Sequence, residues 1–595
     1  MKFLNDQEKA LFLEIVARND GVYDEKEHMP TQWRGENGYH SRLVNQTVHS
    51  TVHSFEYALD LMYRRESGDL LRAEEILNKV LPMQDTDPSH KTYGIWPYFL
   101  EETLEEMNPP DWNWADFCGK KIMQMLLEFK DQLSPELIRR METALIHACH
   151  SIIRRDMDPG YTNISIMGTY VTLVSGEYFQ KEEFITYAKK RLRKLHQFNM
   201  EHGAFQEYNS PSYTWIVIHD IAAMLRYVHD EESRKLTEDL NRLAWGCLAE
   251  HYHYQTKQWA GPHSRFYAML SDDQLLMQVQ RALDYQIHLV PLDKPGLSAT
   301  LPNCFFSVKS KCPEEYLHHF MEPNHASMKY NRYLVTKDGK GDEIAASFLT
   351  KEYTLGTFYK STFWNQHRSH ISYFDTEQGA VYCDLKCLHN GYDYSSGLIA
   401  TAQKNGKAVS ITGFATDGGD THPNLDLVRD ACIDASDLRL RFELGGAVKD
   451  VKIVREKERG YRISIGKQDI VISIPYAAFG NEEIRMEISR EAVHVNETGG
   501  HRHIGEILGL DLVFWSGTQK KLCFGDLKEC VAAIAFEIVP AGAVAQSANV
   551  EKENGMLKVS MGELRVQAGL GARTLQQFKE ETSAWIGERE YRTLV

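Results

Sequence analysis

The hydrophobic pattern of this chain changes period near its middle. Up to about residue 300 apolar side chains recur at helical spacing; beyond it they come in short alternating or β-branched runs. The spacing predicts helices over 6–17, 44–64, 70–81, 114–129, 134–153, 164–175, 181–198, 213–228, 231–254 and 272–286. Ser134-Pro135 opens one of them as an N-cap with proline at the first helical position, where the missing N–H costs nothing. Helices joined by short connections, with no strands between them, pack as antiparallel neighbours. Residues 1–300 are therefore expected to form an α/α toroid, an incomplete α/α barrel that carries the catalytic site. No fixed-period repeat occurs, which argues against a solenoid. From 333–336 to 564–567 short strand-like runs alternate with Gly, Asn and Asp, the texture of an antiparallel β-sandwich over 301–595. Helical spacing returns at 575–586 as a short C-terminal helix, and the domain boundary is expected between Pro295 and Pro302.

Composition narrows the function classes. A chain of 595 residues exceeds one compact core, so two domains are expected. The net charge of -16 is the opposite of a general nucleic-acid binder's. Asp6, Glu8 and Lys9 interrupt the apolar residues near the start, and no long apolar run follows, so neither a secretory leader nor a membrane span is expected. The ten cysteines form no CxxC pair, and the reading is free buried thiols in a cytoplasmic protein. No nucleophile elbow, P-loop, dinucleotide fingerprint or HExxH helix is present. Aromatic residues are frequent and stand beside polar groups, a mixture that suits the apolar faces and hydroxyls of sugars.

Four segments concentrate polar chemistry. In Gly160-Tyr161-Thr162-Asn163-Ile164-Ser165, Asn163 stands at a loop-to-helix junction, either as an N-cap or as an amide aimed into a cavity. The stretch from Gly203 to Tyr213 packs Glu207, Tyr208, Asn209, Ser210 and Tyr213 closely, more hydrogen-bonding groups than a helix start requires. Trp259 to Tyr267 sets His263 and Arg265 in a Gly-Pro turn among aromatics. Trp364 to His370 holds His367 and His370, which with Asp384 and His389 are candidates for acid–base work or for metal ligation. His49 and His53 stand four apart on an expected helix.

With these residues in view the chain resembles the heparinase II/III-like and alginate-lyase-like polysaccharide lyases, which join an α/α toroid to an antiparallel β-sandwich. The architectural resemblance covers nearly the whole chain. In that family an Asn at a toroid helix start holds the uronate carboxylate, and Asn163 in YTNISIMGTY is similar to it, although Thr162 and Ile164 flank it where the family has a His. EYNSPSY places Tyr213 at the family's tyrosine, and His367 or His370 matches the His that enters the sandwich. The family's His-x-His-x-Asp pattern is absent, since HRSHISYFD is spaced differently.

The resemblance implies β-elimination on a uronate-containing oligosaccharide or polysaccharide. Asn163, with Arg265 or His263, would stabilise charge on the carboxylate. Tyr213 would act as acid and also base, with His263, His367 or His370 assisting and Glu207 in the catalytic set. Arg265, Tyr208, Trp259, His370 and Tyr267 would bind the glycan. No cofactor is required; a structural divalent metal on His370, Asp384 and His389 is the one candidate. Two rivals stand beside this reading. A glycoside hydrolase, for example a glucuronidase, would pair Glu207 with Asp220, Glu36 or Asp111. A non-catalytic glycan-binding protein would need no acid or base.

Overall fold

The computed structural model describes residues 4–35, 40–335, 342–419, 428–493 and 503–595. The chain divides into two compact units. The first, helical unit takes Met1–Gly203, Ser212–Gly246 and Asp272–Glu315. Its long helices are α1 (Asp6–Asp20), α2 (Thr51–Arg64), α3 (Asp69–Val80), α4 (Trp114–Phe129), α5 (Pro135–Arg155), α6 (Thr162–Phe179), α7 (Glu182–His202), α8 (Pro211–Tyr227), α9 (Glu231–Ala249) and α10 (Asp273–Ala282). Local chemistry fixes several of their starts. Asn5 and Glu8 form a capping box on α1, Ser134 caps α5 ahead of Pro135, and Asp272 caps α10.

The helices form two rows. α2 packs on α4 and α4 on α6 in an inner row, while α3 and α5 contact each other outside it. Lys120 of α4 reaches Asp220 of α8 at 3.0 Å, which adds α8 to the inner row. Lys189 and Arg193 of α7 bind Asp230, just before α9, and Glu232 in its first turn, on the outer row. This is the arrangement of an incomplete α/α toroid. α6 is buried on every side from Thr162 to Gly176, as a helix in the inner row must be. Gly168 keeps it close to its neighbours: a methyl there would lie 2.8 Å from Asp116 Oδ1 and 2.9 Å from Ile152. One helix starts later than its spacing predicts. Ser50 caps α2, and His49 ends the strand Gln46–His49 with Nδ1 2.5 Å from Glu101. His49 and His53 thus do not share a helix face.

The second unit takes Ala204–Pro211, Cys247–Ser271 and Tyr316–Val595. A single boundary near residue 300 is therefore too simple, because two segments from the helical half of the sequence belong with the sheets. The reason is long-range pairing. His263 and Arg368 exchange backbone hydrogen bonds at 3.2 and 2.9 Å. The turn around Gly261 presses on strand Tyr353–Phe358 so closely that a methyl on Gly356 would lie 1.9 Å from the Gly261 carbonyl carbon. Neither contact leaves a mark in local periodicity.

Among the described residues, antiparallel sheets of nine, seven and five strands build this unit, with a two-stranded ribbon pairing Tyr252–His253 with Gln258–Trp259. Phe374, Leu385, Leu440 and Leu510 of the nine-stranded sheet pack against Ile399, Ile470, Ile472 and Phe536 of the seven-stranded sheet. The opposite face of the seven-stranded sheet turns Ala400, Val409, Ile411 and Ala533 onto Leu557, Val559, Val566 and Ala584 of the five-stranded sheet. Alternation along each strand feeds both cores. The expected sandwich thus carries a third layer. The final helical pattern ends sooner than expected, with a helix at Leu575–Glu581 and then the strand Ser583–Ile586. Cys432 and Cys523, partners on adjacent strands, form a disulfide, which corrects the expectation that no thiol is bridged; the other eight cysteines take part in no disulfide. Among the described residues no helix is long and apolar enough to cross a membrane.

Candidate functional site

In the helical unit the first turns of α6 and α8 hold two of the expected residues. Asn163 is the second residue of α6 and is 2% exposed. The cap position belongs to Tyr161, whose side chain makes no capping bond, so capping does not account for Asn163. Beside it Thr162 is fully buried, and its hydroxyl finds no partner among the described residues. Tyr213 is the third residue of α8 and is half-buried. Tyr170 of α6 feels the charge of Asp220 and the phenol of Tyr227 on α8, so the two helices are neighbours.

In the β-rich unit three of the segments singled out by sequence converge. Arg265 Nη1 donates to Glu207 at 2.6 Å and its Nε to the Gln366 side chain at 2.8 Å, while the guanidinium lies over the Trp364 ring. Asn209 Nδ2 donates to the carbonyls of Ala260 and Pro262 at 2.6 and 2.9 Å and so anchors the Gly-Pro turn. Ser264 N donates to the Tyr208 carbonyl, and Phe266 N to that of Gln366. His263 is fully buried with Nδ1 2.6 Å from the Asn209 carbonyl. A carbonyl only accepts, so Nδ1 carries the proton and Nε2 keeps its lone pair. Burial lowers this imidazole to about 3, and Nε2 has no partner among the described residues. Tyr208 is stacked on Tyr333, and its hydroxyl lies 3.0 Å from Nε2 of His251. Tyr267 is half-buried.

Other expected site residues are engaged elsewhere. Trp259 is buried, donates Nε1 to the Leu248 carbonyl and packs on Tyr252, so no face is open for a sugar. His367 places Nδ1 near Thr362 and Ser361 and packs edge-on against Trp364. His370 lies between the sheets against Phe442 and Phe536, which removes it from glycan binding. Sheet register also separates the metal candidates. Asp384 is paired with Ile371, so it projects from the face opposite His370. His389, five residues on in the same strand, also faces away from Asp384 and meets the Asp434 carbonyl. The expected ligand set does not assemble, and no group of three His, Cys, Asp or Glu side chains suited to a metal occurs among the described residues.

The Asp384 face carries residues that the sequence reading missed. Asp384 is fully enclosed and neither carboxylate oxygen has a hydrogen-bond partner among the described residues. Burial pushes its carboxyl up to about 7, opposed chiefly by the positive charges of Arg368 and Lys386. Lys386 and the Tyr382 hydroxyl both donate to Glu443 at 2.9 Å. A divalent cation does not suit a carboxylate flanked by two cationic side chains. The only sequence signal was Asp384 and Lys386 two apart in an otherwise apolar strand.

The carboxylates proposed for hydrolysis are each held separately. Glu207 is bound by Arg265, Asp220 by Lys120, and Asp111 accepts from the Tyr98 hydroxyl and the Asn113 N–H. Glu36 lies outside the described residues.

The buried histidines give the β-rich unit a pH dependence. Burial holds His251, His253, His367 and His370 at about 4, with His263 lower still. Unfolded histidine titrates near 6.5, so on unfolding these groups take up protons between about pH 4 and 6.5. Their contribution is present above that window and is lost as pH falls through it. Asp384, with its raised folded value, works in the opposite direction between about 4 and 7. Five groups outweigh one, and stability is expected to drop by several kcal/mol from about pH 7 to about pH 5. Urea midpoints at the two pH values check this; an unchanged midpoint would show that these rings are protonated in the fold.

Comparisons with known proteins follow the fold. Residues 11–280 match the family described as a domain of unknown function, DUF8769. No curated protein matches the chain. Heparinase III aligns with 96% of this chain and 91% of its own at 11% identity, TM-score 0.46. A further heparinase III aligns over 98% and 90% at 9% identity, TM-score 0.35. A mutant heparan sulfate lyase from Pedobacter heparinus aligns over 95% and 94% at 8% identity, TM-score 0.34.

Proposed function

We propose that the protein is a lyase that cleaves uronic-acid-containing oligosaccharides or polysaccharides by β-elimination. The observation that carries this reading is the start of α6: a helix N-terminus with no side-chain cap, a buried amide at Asn163 and a buried hydroxyl at Thr162 without a partner among the described residues. Backbone N–H groups left without a side-chain cap at a helix start favour an anion. A uronate carboxylate gains negative charge when the C5 proton leaves, so donors fixed on it lower that barrier. Tyr213, in the first turn of the neighbouring α8, supplies the phenol that takes the C5 proton as phenolate and returns one to the leaving oxygen. The engagement of Glu207, Asp220 and Asp111 supports elimination over hydrolysis, which requires a free carboxylic acid as proton donor. In the other unit His263 presents an unprotonated Nε2 and Arg265 a cation, and each enters the test as a separate variant.

The test is a panel of alginate, polygalacturonate, heparan sulfate and hyaluronan, read by ultraviolet absorbance and reducing ends together. Equal growth of unsaturated product and reducing ends is expected on at least one glycan. Reducing ends without absorbance would replace the lyase by a hydrolase, and binding without either signal would leave a glycan-binding protein.

A further inference from the structure

We infer that Trp33 is a platform for an uncharged sugar ring, at the same end of the helical unit as Asn163. This rests on the glycan reading above and deepens it: the ligand is a chain long enough to occupy both places.

Trp33 is 68% exposed, whereas every other tryptophan is buried or half-buried. Its backbone is fixed. It stands in the strand Met29–Arg34, opposite Thr47 of the strand Gln46–His49. Thr31 and His49 form the next pair on the same side, so alternation gathers Thr31, Trp33, Thr47 and His49 on one face. One indole therefore stands among polar side chains. It offers on the order of 150 Å² of apolar surface. A stable protein interface takes about 800 Å² from each partner. The patch is too small for a second copy of this chain and fits the C–H face of one pyranose, whose hydroxyls meet the polar neighbours.

The charges beside it select the ring. The His49 imidazole lies between two carboxylates, with Nδ1 2.5 Å from Glu101 and Nε2 3.4 Å from Asp24. Even with His49 protonated, the three groups sum to one negative charge. A uronate or a sulfated ring would be repelled here, and an uncharged ring would not.

The backbone ties this face to the candidate site. Thr47 to Thr51 is four residues, about 13 Å when extended. Thr51 opens α2, and its hydroxyl accepts from the Trp114 indole N–H at 3.2 Å. Trp114 opens α4, and Asn113 just ahead of it donates to the Tyr161 hydroxyl at 3.3 Å. Tyr161 stands two residues before Asn163. The Trp33 face and the starts of α2, α4 and α6 therefore share one end of the unit.

Calorimetric titration of the full chain with cellohexaose and chitohexaose, which carry no acid group, tests the inference, with hexagalacturonate as the charged comparison. At least one neutral hexasaccharide is expected to bind and to shield the exposed indole from acrylamide quenching. Trp33→Ala is expected to weaken that binding by about tenfold, and Trp33→Phe, which keeps a ring, by less. Hexagalacturonate is expected to be indifferent to Trp33→Ala. Circular dichroism reports that the variants are folded, which the exposure of this position favours. Failure of both neutral chains to bind would overturn the proposal. So would an affinity unmoved by Trp33→Ala, or a hexagalacturonate affinity that falls as far. Binding that depends on Trp33 in a protein that eliminates no glycan keeps the platform and removes the lyase reading. Elimination by a protein whose neutral-chain affinity ignores Trp33 does the reverse.

Discussion

Replacing Arg368 with methionine is expected to destabilise the β-rich unit by about 1–3 kcal/mol, the cost of taking away the positive charge that opposes the burial of the Asp384 carboxyl. Asp384 and Arg368 are each 1% exposed. Arg368 donates Nη1 to the His367 carbonyl at 2.8 Å, while its Nε and Nη2 have no hydrogen-bond partner among the described residues. Lys386, the other cation acting on Asp384, is already bound to Glu443. Without Arg368 the carboxyl would be pushed further up and would stay protonated well above neutral pH. Asp384→Asn alone removes a charge that burial already disfavours, and its expected effect is small. In the Arg368→Met background it should recover most of the loss. Urea unfolding of both single variants and the double variant near pH 8 gives the coupling directly. Additivity within about 0.5 kcal/mol would show that the two side chains do not act on each other.

This pair also shows where sequence reading runs out. The helices were legible because each buries one stripe: α4 falls on its expected residues, and Ser134-Pro135 marks the start of α5. The strands were legible as texture but not as faces. From Val381 to His389 every residue of its strand is buried, so alternation no longer separates core from covered polar face. His370, Asp384 and His389 read as one cluster because their chemistry matched, whereas register sends Asp384 to one face and the two histidines to the other. Arg368 was hidden among the histidines of its own segment. Trp259 looked like a sugar platform beside His263 and Arg265, yet its indole N–H belongs to the Leu248 carbonyl. The convergence of Glu207 with Arg265, and of Asn209 with the Gly-Pro turn, spans more than fifty residues of chain, and no local pattern encodes such a distance. What sequence did show is that these segments hold more polar groups than capping or solvation requires.

Tyr213→Phe is expected to reduce turnover on the responsive glycan by about 10²–10⁴-fold, the usual range for a lost general acid–base group, with little change in KM. The phenyl ring remains, so contacts made by its carbon atoms survive and only the proton relay is lost. Its half-buried place in the first turn of α8 keeps the folding cost small, because Pro211 sets the helix start independently of residue 213. Asn163→Leu is the complementary variant. It keeps the volume in a fully packed turn but removes the amide from the uncapped start of α6, and the loss should fall on kcat by about 10²–10³-fold if the amide stabilises charge that develops during reaction. A loss confined to KM would make Asn163 a ground-state binder instead. If Tyr213→Phe and Asn163→Leu both retain full turnover, the first turns of α6 and α8 are not where the chemistry occurs. The unprotonated Nε2 of His263 in the other unit then becomes the base to remove next, with His263→Gln as the variant that keeps a hydrogen bond to the Asn209 carbonyl.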